Sequence, residues 1–303
     1  MMPDEAASEM SLKKADAILI AGPTASGKSA FALDLALRHN GVLINADSMQ
    51  VYRDLRVLSA RPSVEDEQRV AHFLFGHVDG AVNYSVGHWL WDVARLLPEI
   101  RESGRLPIFV GGTGLYFKAL TQGLSEIPHV PQAIRAKVRA EAAGLPPEIL
   151  HQRLAACDPV MAAKLRPSDP QRLLRALEVF AATGQSLDAF QHKKSPPLLA
   201  VETCEALFLA PDRDVLRKRI ETRFEAMLKQ GALEEVRLLA ARCLDSTLPI
   251  VRAHGVPHLL KYLSGEAGLE EAAASAIAET RQYARRQFTF ARHQLPAFRP
   301  INI

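Results

Sequence analysis

The stretch GPTASGKSAF at 22–31 carries the pattern G-x-x-x-x-G-K-[ST], met by Gly22, Gly27, Lys28 and Ser29. It stands behind a short apolar run, AILIA, and ahead of a helical pattern, FALDLALR, which is the context the motif requires. Glycines let the backbone over Gly22, Pro23, Thr24, Ala25, Ser26 and Gly27 aim its N–H groups at oxyanions, and the following helix adds its N-terminal dipole. Lys28 supplies a point charge and Ser29 a hydroxyl able to ligate Mg²⁺. Such loops are widely nucleotide-binding and ATP-binding. A nucleoside triphosphatase, however, usually adds an apolar strand ending in an aspartate that holds Mg²⁺ through water. The natural candidate strand, LPIFVGGTG, ends instead in Gly111, Gly112 and Thr113. That weakens the expectation of ATP hydrolysis and leaves a loop suited to a diphosphate.

Asp47, in NADSMQVY, projects from the end of another apolar run, and a parallel sheet would set it near the phosphate loop. A carboxylate facing bound phosphates is unfavourable unless a metal or a proton transfer employs it. Three readings therefore stand: a carboxylate on the metal side, a general base, or a cap on the next helix. Thr113 precedes the helical LYFKAL, so its hydroxyl either faces the same cleft or simply opens that helix. In DVLRKRIETRFEAML, Arg219 and Arg223 flank a stripe of Leu216, Ile220, Phe224 and Met227, which predicts both heads along one edge of the buried face. An arginine fork there would neutralise a leaving diphosphate, the alternative being stems that only cover apolar surface.

In DPQRLLRALEVF, Asp169 is an expected N-cap with Pro170 at the first helical position. This puts Arg172 and Arg175 on one face and Leu174 and Leu177 on another; the basic face is either solvated charge or a grip on a nucleic-acid backbone. The late segment RQYARRQFTFARHQ mixes Arg281, Arg285, Arg286 and Arg292 with Tyr283, Phe288 and Phe290, which fits RNA or an amphipathic helix docked on the core.

These residues need a scaffold. Apolar runs near 17–24, 41–48, 106–114 and 205–214 read as parallel strands covered on both faces, with ligands at their carboxyl ends. Each ends on candidate chemistry: Lys28, Asp47, Thr113, and Arg213 onward. Between about 126 and 200 helical patterns follow one another without a strand, broken at Pro146-Pro147, Asp158-Pro159 and Pro196-Pro197, as in a helical insertion. Beyond it, two helices broken at Gly231 and a long Ala- and Arg-rich helix over 269–292 are expected. The domain reading is a polar, disordered tail at 1–14, an α/β core at 15–125 and 200–303, and a helical insertion at 126–199.

With 303 residues, 48% of them hydrophobic, the chain can bury one large core and an appendage. Its net charge of +3 is small, so any nucleic-acid contact must come from local clusters of Lys and Arg. Cys157, Cys204 and Cys243 are odd in number and widely spaced, which argues against a disulfide framework or a zinc site. With no signal-peptide pattern and no run of roughly 20 apolar residues, a soluble cytoplasmic chain is expected.

Taken in order, GPTASGKS, NADSMQVY, Arg61-Pro62, Tyr84-Ser85-Val86, VGGTGLYFKAL, DPQRLLRALEV, RIETRFEAML and RRQFTFAR resemble the tRNA dimethylallyltransferases, also called tRNA isopentenyltransferases. The resemblance runs from about 17 to 292. It implies a P-loop NTPase-like core with an all-helical insertion that binds tRNA, and transfer of a dimethylallyl group from dimethylallyl diphosphate to N6 of adenosine 37, with Mg²⁺. On that resemblance Gly22 to Ser29 hold the diphosphate, Ser29 is the metal residue, and Asp47 is the base on the adenine amine. Thr113 and Arg223 or Arg219 stabilise the departing diphosphate. Asp47, Ser48, Met49, Gln50, Arg135, Gln171, Arg172, Leu173, Leu174 and Arg175 resemble the tRNA-contacting segments, and a monomer is expected. Three motifs depart from the family pattern: 57–62 reads VLSARP for the usual IGTAKP, 255–257 reads GVP for GYR, and 289–290 reads TF for TW.

Three rivals differ in class. A small-molecule kinase would share the phosphate loop and turn over ATP. An isopentenyltransferase acting on free adenylate would not depend on tRNA, and the long insertion argues against it. A non-catalytic RNA-binding protein requires neither the phosphate loop nor Asp47.

Overall fold

A computed structural model describes residues 15–302; the tail expected at 1–14 lies outside the described residues. The sheet comprises β1 (Ala17–Ala21), β2 (Gly41–Asn45), β3 (His72–Phe73), β4 (Leu106–Gly111), β5 (Cys204–Leu209) and β6 (Arg299–Ile301). All strand pairs are parallel and the order is β3-β2-β4-β1-β5-β6. Every residue of β1 and of β2 is buried, which is why these strands read as unbroken apolar runs and not as alternating ones. The four strands expected from the sequence form the centre. The two unexpected ones are edge strands of two and three residues, too short to carry a pattern, and Pro300 is tolerated at such an edge.

The helices before the insertion are α1 (Lys28–Arg38), α2 (Val64–Arg69), α3 (Val86–Glu102) and α4 (Gly114–Gln122). Then come α5 (Gln132–Ala142), α6 (Pro147–Cys157), α7 (Pro159–Lys164), α8 (Pro170–Thr183) and α9 (Leu187–Gln191). After β5 follow α10 (Arg213–Lys229), α11 (Ala232–Ala241), α12 (Val256–Leu263) and α13 (Leu269–Gln294). Gly231, in the left-handed region at φ 102°, separates α10 from α11.

The chain divides into two compact units, one made of 15–121 with 198–302 and the other of Gln122–Pro197. In the first, one sheet face buries Leu19, Ile44 and Phe109 against Trp89, Val93, Leu97 and Phe117. The opposite face buries Ile18, Ile20 and Ile108 against Leu35 and Ala36 of α1. A further cluster packs Tyr52 and Leu55, from the segment after β2, on Phe224, Val236 and Leu259 of α10, α11 and α12. The helical unit has its own core of Leu150, Leu154, Met161, Leu173, Ala176 and Val179. No described helix is long and apolar enough to cross a membrane.

Candidate functional site

The phosphate loop leaves β1 and enters α1 through Ala25 at φ 62° and Gly27 at φ 88°, two left-handed residues that turn the chain back on itself. A Cβ on Gly22 would press on Ser26 Oγ and the Leu209 carbonyl, so the loop's close approach to β5 requires glycine. Lys28 is only 9% exposed and its Nζ donates to the Pro23 carbonyl at 3.1 Å. Burial pushes the Lys28 amine down to about 8, against the pull of the Asp47 carboxylate and with a smaller push from Arg223. Ser26 Oγ is buried without a hydrogen-bond partner among the described residues, and Ser29 is exposed at the helix start. A cation and a hydroxyl held in this way suit an incoming oxyanion.

Asp47 sits two residues past β2, where its backbone is clamped by Asn45. The Asn45 Oδ1 accepts from the Asp47 N–H at 2.8 Å, while Nδ2 donates to the Asp47 carbonyl at 2.9 Å and the Leu74 carbonyl at 3.0 Å. Asp47 Oδ1 accepts from the Met49 N–H at 2.9 Å, a turn of the Asx type, and no helix follows for it to cap. Its Oδ2 looks across at Gly112, where an added Cβ would lie 3.2 Å away. A Cβ on Gly111 would run into the Ala46 carbonyl, so the glycine pair lets β4 and the Asp47 segment meet. Thr113 spends its hydroxyl on that segment and not on its own helix, accepting from the Ser48 N–H at 2.9 Å and donating to Ser48 Oγ at 3.2 Å.

Arg223 joins these parts. Burial holds its guanidinium below the usual value, with the Asp47 carboxylate opposing the shift, and no carboxylate among the described residues comes within ion-pair distance of it or of Lys28. It borders two cavities at once. One, of about 520 Å³, is lined by Gly27, Lys28, Ser29, Arg56 and Arg61. The other, of about 190 Å³, is lined by Asp47, Ser48 and Met49 on one side and Leu58, Ile220 and Phe224 on another. Ala25, Arg223 and Met227 belong to both.

The structure departs from expectation at several positions. Arg219 does not share an edge with Arg223: it is exposed and lines neither cavity. Four residues over-rotate a helix by about 40° beyond one turn, which carries Arg223 toward the stripe of Leu216, Ile220, Phe224 and Met227 and leaves Arg219 outside it. Leu173, expected among the tRNA-contacting residues, is 0% exposed and forms part of the helical unit's core, so its side chain meets no external partner. Gln171 and Arg172 are exposed and Leu174 is half-buried. Arg135 and Arg175 lie with Arg139 around one buried carboxylate, Glu178, at 3.7, 3.7 and 2.8 Å. Gln50 turns its amide inward, donating to the Ser59 and Ala60 carbonyls at 3.0 and 2.8 Å.

Sequence reasoning missed part of the smaller cavity: Arg252, His254, Thr280 and Tyr283 also line it. Burial raises the Tyr283 hydroxyl well above its ordinary value, Asp47 adds to this, and the neighbouring Thr113 opposes it. The signal was present in the recurrence of Tyr283, Gln287 and Phe290 on one face of α13, but its meaning depends on what that face touches.

The chain is similar to known proteins along almost its whole length. The model of the IPP transferase family matches residues 50–294, and that of isopentenyl transferases matches 15–75. A tRNA dimethylallyltransferase from Methylocella silvestris is 62% identical over 95% of this chain and 95% of the relative. One from Beijerinckia indica is 64% identical over 93% of each. Among solved structures, a tRNA isopentenylpyrophosphate transferase from Bacillus halodurans superposes with TM-score 0.66 at 33% identity, covering 94% of this chain and 89% of the other. A eukaryotic dimethylallyltransferase acting on tRNA superposes with TM-score 0.78 at 26% identity, over 94% and 73%. A P-loop core, an all-helical unit and matches along almost the whole chain agree, and the chain belongs to the IPP transferase family of tRNA dimethylallyltransferases.

Proposed function

We propose that the two cavities meeting at Arg223 are the donor and acceptor sides of a prenyl transfer from dimethylallyl diphosphate to N6 of adenosine 37 in tRNA. The observation that carries this reading is that Arg223 borders both the phosphate-loop cavity and the Asp47 cavity. The diphosphate lies on the backbone of 22–28 beside Lys28, and the five-carbon group extends past Met227 toward Leu58 and Phe224. The adenine enters beside Asp47.

The exocyclic amine is a weak nucleophile because its lone pair is delocalised into the ring, so a placed carboxylate helps by taking its proton. As the new bond forms between N6 and the allylic carbon, the carbon–oxygen bond breaks and its electron pair leaves with the diphosphate. The amine proton passes to Asp47. Lys28, Arg223 and the loop N–H groups meet the growing negative charge, with Thr113 holding the Asp47 segment in place. The adenine must leave the anticodon-loop stack to reach such a site, and the cleft must keep water from the allyl donor.

Mg²⁺ belongs to this reading. Among the described residues no group of three or more His, Cys, Asp or Glu is placed to hold a metal. Ser29 and Asp66 do line the phosphate cavity, and Mg²⁺ takes few protein ligands when phosphate oxygens and water supply the rest, so the donor set fits. Bound there, it would neutralise charge on the diphosphate. We also read the enzyme as a cytoplasmic monomer, and Gln171, Arg172 and Leu174 as the outward-facing part of an RNA contact in the helical unit.

The test incubates the protein with Mg²⁺, labelled dimethylallyl diphosphate and unmodified tRNA, with ATP and AMP offered in parallel. Label on adenosine 37 is the expected result. Phosphate transferred from ATP, or prenyl found on AMP and absent from tRNA, overturns the reading.

A further inference from the structure

One face of α13 lies along the loop that leaves β4. Tyr283, Gln287 and Phe290 stand at i, i+4 and i+7 on that helix. Tyr283 meets Thr113, a Cβ on Gly112 would collide with the Gln287 amide, and a Cβ on Gly114 would collide with the Phe290 ring. The helix thus touches three consecutive residues, 112–114.

Gln287 is 8% exposed and uses both ends of its amide. Its Nε2 donates to the Gly112 carbonyl at 2.8 Å and its Oε1 accepts from the Thr24 N–H at 3.0 Å. Gly112 is the residue against which the Asp47 carboxylate rests, and Thr24 is in the phosphate loop. Among the described residues, no backbone hydrogen bond outside the regular elements runs from 23–26 to 46–48 or to 112–114. One planar side chain therefore spans the two segments that carry opposite halves of the reaction.

We propose that Gln287 is a positioning residue that sets the separation between the phosphate loop and the Asp47 carboxylate, so that donor and base meet the adenine amine in register. The proposal rests on the transferase reading above. Gln287 lines neither of the two cavities. Its effect is geometric, and a misplacement of about 1 Å costs about 10²-fold in rate. Both ends of the amide matter: losing the Nε2–H releases Gly112 and with it the Asp47 side, while losing the Oε1 frees the Thr24 N–H and with it the donor side.

The test compares wild type with Gln287→Met, which keeps length and apolar packing and loses both hydrogen bonds. With dimethylallyl diphosphate and tRNA, we expect kcat to fall by about 10²-fold and KM for the donor to rise, with tRNA affinity and the unfolding midpoint little changed. A folded Gln287→Met protein with wild-type kcat and donor KM overturns the proposal. So does a loss that is wholly accounted for by a smaller folded fraction with unchanged KM. Should the variant fail to fold, amide hydrogen exchange on the wild type decides: the Thr24 N–H is expected to be protected without donor and to stay so when inorganic diphosphate is added. Unprotected exchange in the absence of diphosphate overturns the proposal. A wild type that transfers nothing to tRNA removes the transferase reading itself, an outcome distinct from an active wild type matched by an equally active Gln287→Met.

Discussion

The two units handle clustered cations in opposite ways. In the core, Lys28 is buried and Arg223 half-buried, and among the described residues neither has an ion-pair partner, the Asp47 carboxylate acting on both from beyond ion-pair distance. In the helical unit, Arg135, Arg139 and Arg175 converge on Glu178, whose side chain is 3% exposed. A buried cation with no partner is costly unless a ligand completes it, whereas Glu178 answers part of the charge of its three arginines from within. The difference teaches that the first cluster is built for an anion still to come, and that much of the second holds its own fold together.

Removing the base strikes the reactive side of this contrast hardest. Asp47→Ala is expected to lower transfer by about 10²–10⁴-fold while tRNA binding, measured by filter retention, stays near wild type; normal turnover would remove Asp47 as the base. Arg223→Ala is next, with kcat reduced by about 10²–10³-fold. Arg219→Ala serves as its internal control, because an exposed arginine outside both cavities should change kcat by only a few-fold at most. Equal losses in the two variants would erase the distinction between them.

The helical cluster responds in stability. Glu178→Gln leaves three guanidinium groups facing one another and is expected to cost about 3–5 kcal/mol, seen in denaturant unfolding followed by a probe in that unit. A neutral effect would mean that Glu178 does not hold the cluster.

A titration separates the clusters further. The free-enzyme Lys28 amine loses its proton near pH 8, and a bound diphosphate favours the charged form. Donor KM is therefore expected to be flat below that pH and to rise above it by up to about tenfold per unit, a rise absent in Lys28→Arg. The smallest effect belongs to Arg172, exposed and, among the described residues, paired only with Asp169 at 3.3 Å. Arg172→Ala should leave stability unchanged and reduce the salt slope of tRNA binding by about one. An unchanged slope would return Arg172 to solvated charge.

Much of the core was legible because its signals are local. Strand β1, the phosphate loop and α1 adjoin in sequence, and the glycines of GPTASGKS and VGGTG mark places where a side chain would collide. Helix α8 was legible from its Asp169 cap and Pro170 start, while Pro147 and Pro159, read as breaks, open α6 and α7. The short edge strands were not, since two or three residues carry no periodicity.

The amino-acid order by itself determined a phosphate loop on a parallel sheet, an aspartate at a neighbouring strand end and a family resemblance, because each is a property of contiguous residues. Tertiary structure alone decided which cations face the site. Arg223 and Arg219 are one turn apart in the same motif, and a rotation of about 40° separates them. Arg135 and Arg139 reach Glu178 only through the packing of α5 on α8, whereas Arg175 is its i, i+3 neighbour within α8. Gln287 reaches Thr24 across 263 positions. Such pairings depend on distances through space that no local pattern encodes, and the charge a residue leaves available depends on them.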